Sequence, residues 1–128
     1  LIKTNTIFGI GSASFSQIFH LETNFWKGHS HNLLLELALS YGVPATIVFF
    51  TSISIIIISS FKKIFINKKV FDIRLFDRAI WASLFFFLIS QLVDIQYLDG
   101  KISIVAWLLI ASLRNIIEEK NEDLVNYK

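Results

Sequence analysis

The sequence predicts an all-α integral membrane protein, with about three transmembrane helices preceded by an outer-face loop and a short interfacial helix. Three observations carry that expectation. Of the 128 residues, 54% are hydrophobic and 17% charged, with thirteen Phe and a mean hydropathy of +0.60; an ordinary soluble domain is roughly a quarter charged. The apolar residues are gathered into long runs, with most of the polar ones between them. The charges are also sorted. Lys62, Lys63, Lys68, Lys69, Arg74 and Arg78 share one loop with only Asp72 and Asp77 against them. Between two apolar runs, this is the pattern of a cytoplasmic loop rather than of a nucleic-acid surface.

Taken in order, residues 1–32 form an outer, periplasmic segment that is mixed and turn-rich. Gly9-Ile10-Gly11 lacks the further glycine and the Lys-Ser or Lys-Thr pair of a nucleotide loop. A tight turn is the better reading, with glycine supplying positive φ or close backbone approach. Phe25-Trp26 followed by Lys27 suits a membrane–water interface. The polar N-terminus does not fit a secretory signal.

The apolar run from Leu33 to Phe61 would be about 43 Å long as a single helix, against a bilayer core of about 30 Å. Gly42 and Pro44 divide it, because proline suits the first turn of a helix. Residues 33–41 then form a short helix at the membrane surface, and 43–61 a span. Residues 62–78 are the cytoplasmic loop. A second span is expected near 79–95, a third near 97–113, and 114–128 is a charged cytoplasmic tail. Asp94 to Lys101 is a short outer turn, its two aspartates read as polar helix ends in preference to groups lining a substrate entrance.

The candidate chemistry lies at Gly28-His29-Ser30-His31-Asn32, where the polar segment meets the apolar run. Without cysteine, thiolate metal sites and Cys nucleophiles are excluded. His29-x-His31 supplies two ligands, too few for a metal site, and His20 is not at a spacing that compels a third. No metal or other cofactor is therefore expected. Asn32 is placed to cap the following helix. Glu36, an acid among leucines, reads as solvated surface or as a group facing a partner at the site. Tyr41 reads as an interface anchor.

His31-Asn32, nine residues, then Gly42-Val43-Pro44-Ala45 resembles the His-Asn/Ser/Gln-x9-Gly-x-x-Gly/Thr/Tyr signature of the O-antigen ligase and O-antigen polymerase superfamily. Ala45 departs from the last position but is still small. Gly9-Ile10-Gly11 with Phe15 is similar to the entry of that family's large outer loop. The turn from Asp94 to Gly100 resembles cyanobacterial relatives, some labelled as bicarbonate transporters. The resemblance implies a multi-pass enzyme of the bacterial inner membrane, working in lipopolysaccharide and polysaccharide biosynthesis of the cell envelope. Such a glycosyltransferase moves a glycan from a polyprenyl-pyrophosphate carrier to an acceptor hydroxyl on a lipid or another glycan, with inversion and without a metal. Its partners are that carrier, the acceptor and membrane lipids, with no nucleic acid.

The resemblance implicates His31 as the catalytic residue; Asn32, His29 and Glu36 around it are the substrate-binding candidates. Pyrophosphate leaves without help from a general acid, so one imidazole acting as base meets the need. At a helix N-terminus the same residue could instead bind the diphosphate. The outer segments hold no arginine to neutralise a pyrophosphate. With Leu at position 1 and no Met in the chain, the expectation is the C-terminal part of a longer protein, inactive alone, with the arginines upstream. Two competing readings are a membrane transporter or transporter accessory, and a non-functional fragment. Spans nearly free of charge, with the Gly42–Pro44 break at a membrane edge, disfavour the transporter.

Overall fold

The structure is a computed structural model that describes residues 2–66 and 74–119. Over those residues the chain is all-helical. Its elements are α1 (Ser14–Thr23), α2 (Leu33–Tyr41), α3 (Val43–Phe61), α4 (Leu75–Ser90) and α5 (Gly100–Glu118), and a π-helical turn, Lys62–Ile66, continues α3.

Helices α3, α4 and α5 form the body. Helix α5 packs against both α3 and α4, which touch each other less. Ile53, Ile64, Leu84, Ile110, Leu113 and Ile116 make the core, flanked by Phe49, Trp81 and Phe87. Leu84 and Leu113 are fully buried, and their close packing supplies the dispersion contacts that hold the three helices together. Trp81 is stacked on Phe85, its centroid 4.8 Å away, and donates its indole N–H to the Ile57 carbonyl at 3.0 Å.

The outward faces are as apolar as the core. Ile47, Val48, Ile55 and Ile58 on α3, Phe86 and Ile89 on α4, and Ile104, Val105 and Leu108 on α5 are all exposed. Two helical stretches, Val43–Ile66 and Gly100–Glu118, are long and apolar enough to cross a membrane, with only 17% and 22% of their most apolar windows buried inside the protein. The core helix of a soluble protein would be mostly buried instead. Serines in these helices satisfy themselves by donating to the carbonyl four residues back: Ser52 to Val48, Ser60 to Ile56 and Ser112 to Leu108. That is how a hydroxyl is accommodated where no water is available.

The helix ends differ from the sequence reading. Helix α4 begins at Leu75, inside the segment read as loop, and stops at Ser90 rather than near 95. It stops there because Gln91, almost wholly buried, turns its side-chain carbonyl to the backbone N–H groups of Gln96 and Tyr97, both at 2.9 Å. With 16 residues α4 is shorter than a full span. Helix α5 starts at Gly100, not 97, because the Asp99 carboxylate caps it by accepting from Lys101 and Ile102 N–H. It then runs to Glu118, so the start of the expected tail is helix, with Arg114 paired to Glu118 one turn on. Lys68, Lys69, Asp72 and residues 120–128 lie outside the described residues.

Residues 1–32 are less loop-like than expected. They contain α1, which buries Phe15, stacks it on Phe19 and packs on α2. Ahead of α1, residues 6–11 form a strap across the α2–α3 junction. Ile10 N–H donates to Leu39 O at 2.7 Å, Gly11 N–H to Ser40 O at 3.1 Å, and Val43 N–H to Thr6 O at 2.8 Å. Glycine is required on both sides of this contact. Gly9 has φ +69° and a Cβ there would lie 2.5 Å from Leu39 O; Gly42 has φ +88° and its Cβ would lie 2.0 Å from Ile7 O. Gly42 and Pro44 do separate α2 from α3, as their chemistry demands.

Candidate functional site

The site forms where the loop before α2 meets the turn after α4. Asn32 is the hinge between them. Its backbone is extended and its Oδ1 caps α2 by accepting from Leu35 N–H at 3.1 Å. Its Nδ2 donates across to Leu92 O at 2.9 Å, and the next residue, Leu33, donates its N–H to Gln91 O at 2.9 Å. The capping role read from sequence is therefore present, with a second role added. The amide offers both an acceptor for the cap and, on a separate atom, a donor for the neighbouring turn.

That clasp sets His31 beside Asp94. Nδ1 of His31 lies 3.1 Å from Oδ1 of Asp94, both side chains being about half exposed. The same carboxylate oxygen accepts from Ile95 N–H at 2.9 Å. The His31 hydrogen bond, followed by that of Ile95, holds the Asp94 carboxyl below the usual carboxylate range. An ionised carboxylate only accepts, so the neutral His31 carries its proton on Nδ1, and Nε2 keeps a free lone pair. His31 has φ +56°, in the left-handed region, a conformation that disfavours a side chain by roughly 1–2 kcal/mol. The clasp through Asn32 and Leu33 holds it there.

His29 completes the cluster. Its ring meets that of His31 edge-on at 4.4 Å between centroids, and its Nδ1 accepts the His31 backbone N–H at 3.3 Å. One ligand-type atom from each of His29, His31 and Asp94 falls within 4.8 Å of the others. The sequence expectation of no metal rested on two donors being too few. The third donor comes from the far end of α4, and His20 sits apart, near Trp26.

Glu36 differs from the solvated reading. It is only 6% exposed. Its Oε2 accepts from Ser30 N–H at 2.9 Å, and the Ser30 hydroxyl donates to Asn32 O at 3.0 Å. Glu36 thus shapes the loop that carries His29 and His31. It also lines a cavity of about 470 Å³ between α1, α2, α3 and the outer turn, with Ser12, Ser40, Tyr41, Ala45, Tyr97 and other residues around it. Ala45, the departing position of the signature, faces that cavity. Tyr97 is steadied by the indole N–H of Trp107, which donates to its hydroxyl at 3.0 Å.

No protein-family model matches the chain, and no characterised protein or solved structure does either. What the site does must therefore be argued from its geometry and its local motif.

Sequence reasoning did not single out Gln91 and did not pair Asp94 with His31. Both aspartates of the turn were read as helix ends that could also line a substrate entrance; Asp99 caps α5, whereas Asp94 meets the histidine. The topology held the signal, since it put residues 1–32 and the 94–101 turn on one side. The described arginines sit at the opposite end of the bundle. Arg74, buried, pairs with Asp77 and Glu119 at 2.8 and 2.7 Å, while Lys63 donates to the Ile117 and Glu119 carbonyls. Those contacts tie the ends of α3, α4 and α5 and leave the His31 side without a guanidinium among the described residues.

Proposed function

We propose that the chain is part of a membrane glycosyltransferase of the O-antigen ligase or polymerase type, with His31 as the general base. It would lie in a bacterial inner membrane with three spans, the His31 side periplasmic and the α3–α4 loop cytoplasmic. The single observation that carries the reading is the His31–Asp94 pair at the mouth of a capped helix. The Asp94 carboxylate accepts a hydrogen bond from His31 Nδ1–H, which leaves the Nε2 lone pair to take the proton of an acceptor hydroxyl. The hydroxyl oxygen attacks the anomeric carbon, the bond to the pyrophosphate breaks, and its electron pair leaves with the phosphate oxygen. The sugar inverts. The resulting imidazolium is stabilised by the Asp94 carboxylate. Positioned bases of this kind contribute about 10²–10⁴-fold to rate.

Glu36 and the cavity beside it fit the acceptor side, where a carboxylate, serines and tyrosines can meet a polyhydroxyl ligand. Arginines for the pyrophosphate would have to come from other residues on the outer face. The test is a His31→Ala change in the intact protein in its cell. Loss of surface polysaccharide at normal protein level is expected. Unchanged polysaccharide together with impaired solute uptake would overturn the enzyme reading in favour of transport.

A further inference from the structure

Two imidazoles and a carboxylate meet at one exposed point on the outer turn, and glycosyl transfer uses only part of that set. His31 and Asp94 already stand 3.1 Å apart through Nδ1 and Oδ1. Two ligands of a tetrahedral zinc ion, each about 2.0–2.1 Å from the metal, lie roughly 3.3–3.4 Å from one another. The His31–Asp94 edge therefore has the length of a ligand–ligand edge before any metal arrives; a metal at Nδ1 displaces the proton there and leaves the Nε2–H tautomer. The three donor atoms all lie within 4.8 Å of one another, so drawing them to ligand spacing takes side-chain shifts of at most about 1.5 Å on the open side of the cluster, within the reach of a rotamer adjustment.

The backbone under the donors is held in place. The Asn32–Leu92 and Leu33–Gln91 hydrogen bonds join the two loops that carry them, Gln91 pins the turn after Asp94, and Glu36 pins Ser30 between the two histidines. A donor set fixed by such outer contacts is the arrangement that orients ligands before binding.

We propose that His29, His31 and Asp94 form a binding site for a divalent transition metal of the zinc class, with solvent completing the coordination. Two nitrogen donors and one carboxylate select zinc, copper, nickel or cobalt over magnesium and calcium, which require mainly oxygen. Three protein ligands leave one position open. The inference goes beyond the transfer reading and does not depend on it. If His31 is the base, a bound zinc ion takes up its imidazole and acts as a brake on transfer.

The test is zinc titration of the full chain in lipid nanodiscs, read by competition with a chromogenic chelator, with cobalt(II) absorption as the report on geometry. We expect one zinc per chain, cobalt bands of a four-coordinate N/O site, and no displacement by about a hundredfold excess of magnesium. His29→Ala and Asp94→Asn should each weaken zinc binding by at least about tenfold, while His20→Ala leaves it unchanged. Far-UV circular dichroism of each variant reports whether the helices are kept. Asp94→Asn can still hydrogen-bond to Ile95 and His31, so its loss of zinc reads ligation rather than folding. Zinc uptake by the His29→Ala and Asp94→Asn variants equal to that of wild type, displacement by magnesium, or no uptake by wild type would each overturn the proposal. None of those results bears on the His31→Ala polysaccharide experiment, so the two readings fail separately.

Discussion

Gly42→Ala should open the strap that covers the α2–α3 junction. Gly42 has φ +88° and ψ +165°, a region that is essentially glycine-only and that strains any other residue by about 1–3 kcal/mol. The new Cβ would sit 2.0 Å from Ile7 O and 2.5 Å from Ile7 C. Those are backbone atoms, so no side-chain rotation relieves the contact and the strap must lift. Lifting it removes the hydrogen bonds from Ile10 to Leu39, from Gly11 to Ser40 and from Val43 to Thr6, each contributing about 0.5–1.5 kcal/mol net. The docked strap carries the backbone strain of about 1–3 kcal/mol, which lowers its population relative to the open one by about 5- to 150-fold at 1.4 kcal/mol per decade. Amide hydrogen exchange in detergent micelles reads this directly, through faster exchange at Ile10, Gly11 and Val43. Gly28→Ala is the control, because no atom lies within 4 Å of its Cβ position, and it should leave those amides unchanged. Wild-type protection of Ile10 and Gly11 in the Gly42→Ala protein would refute the reasoning, since the clash would then have been absorbed without moving the strap.

Further expectations concern the clasp, the ion pair and the core. Asn32→Ala removes both the α2 cap and the bond to Leu92 O and should destabilise by about 1–3 kcal/mol; Asn32→Asp keeps the cap alone and should recover part of that in equilibrium unfolding. Asp94 has a lowered folded-state pKa, so its pairing supports the docked turn above the ordinary carboxylate pKa and is lost as pH falls through the folded value. In a carboxyl ¹³C NMR titration the Asp94 midpoint should lie below the ordinary value of about 3.9 and rise in His31→Ala; an unmoved midpoint would count against the pair. Leu113→Ala, at a fully buried position, should cost about 2–5 kcal/mol, whereas Leu108→Ala on the outward face of the same helix should leave the packing of α3, α4 and α5 intact, as read by unfolding in micelles.

The all-α class and the places where helices begin and end were legible to different degrees. Long runs of Ile, Phe and Leu with almost no charge can be buried only as helices that satisfy their own backbone, so the class follows from composition and run length. Gly42 and Pro44 marked a boundary because their backbone limits are local. The end of α4 was not legible. It is set by Gln91 bonding to residues five and six positions ahead, an arrangement with no one-dimensional signature. Helix α1 was overlooked although Phe15, Ile18 and Phe19 recur at helical spacing, because no capping side chain marks its start after Ala13, and it packs against α2.

The sequence by itself determined that this chain is helical and apolar outside as well as inside, that Gly42 breaks it, and that Asn32 caps the helix behind His31. These depend on solvation and on backbone geometry within a few residues, which the order of amino acids carries. Only the tertiary structure decided what His31 faces. Asp94 stands 63 positions away in the chain and reaches the histidine because the turn after α4 is clasped to the loop before α2. The same folding buried Glu36 against Ser30 and turned two histidines into a three-donor cluster. Contacts between distant segments depend on how helices pack and where their ends meet, and that information resides in three dimensions.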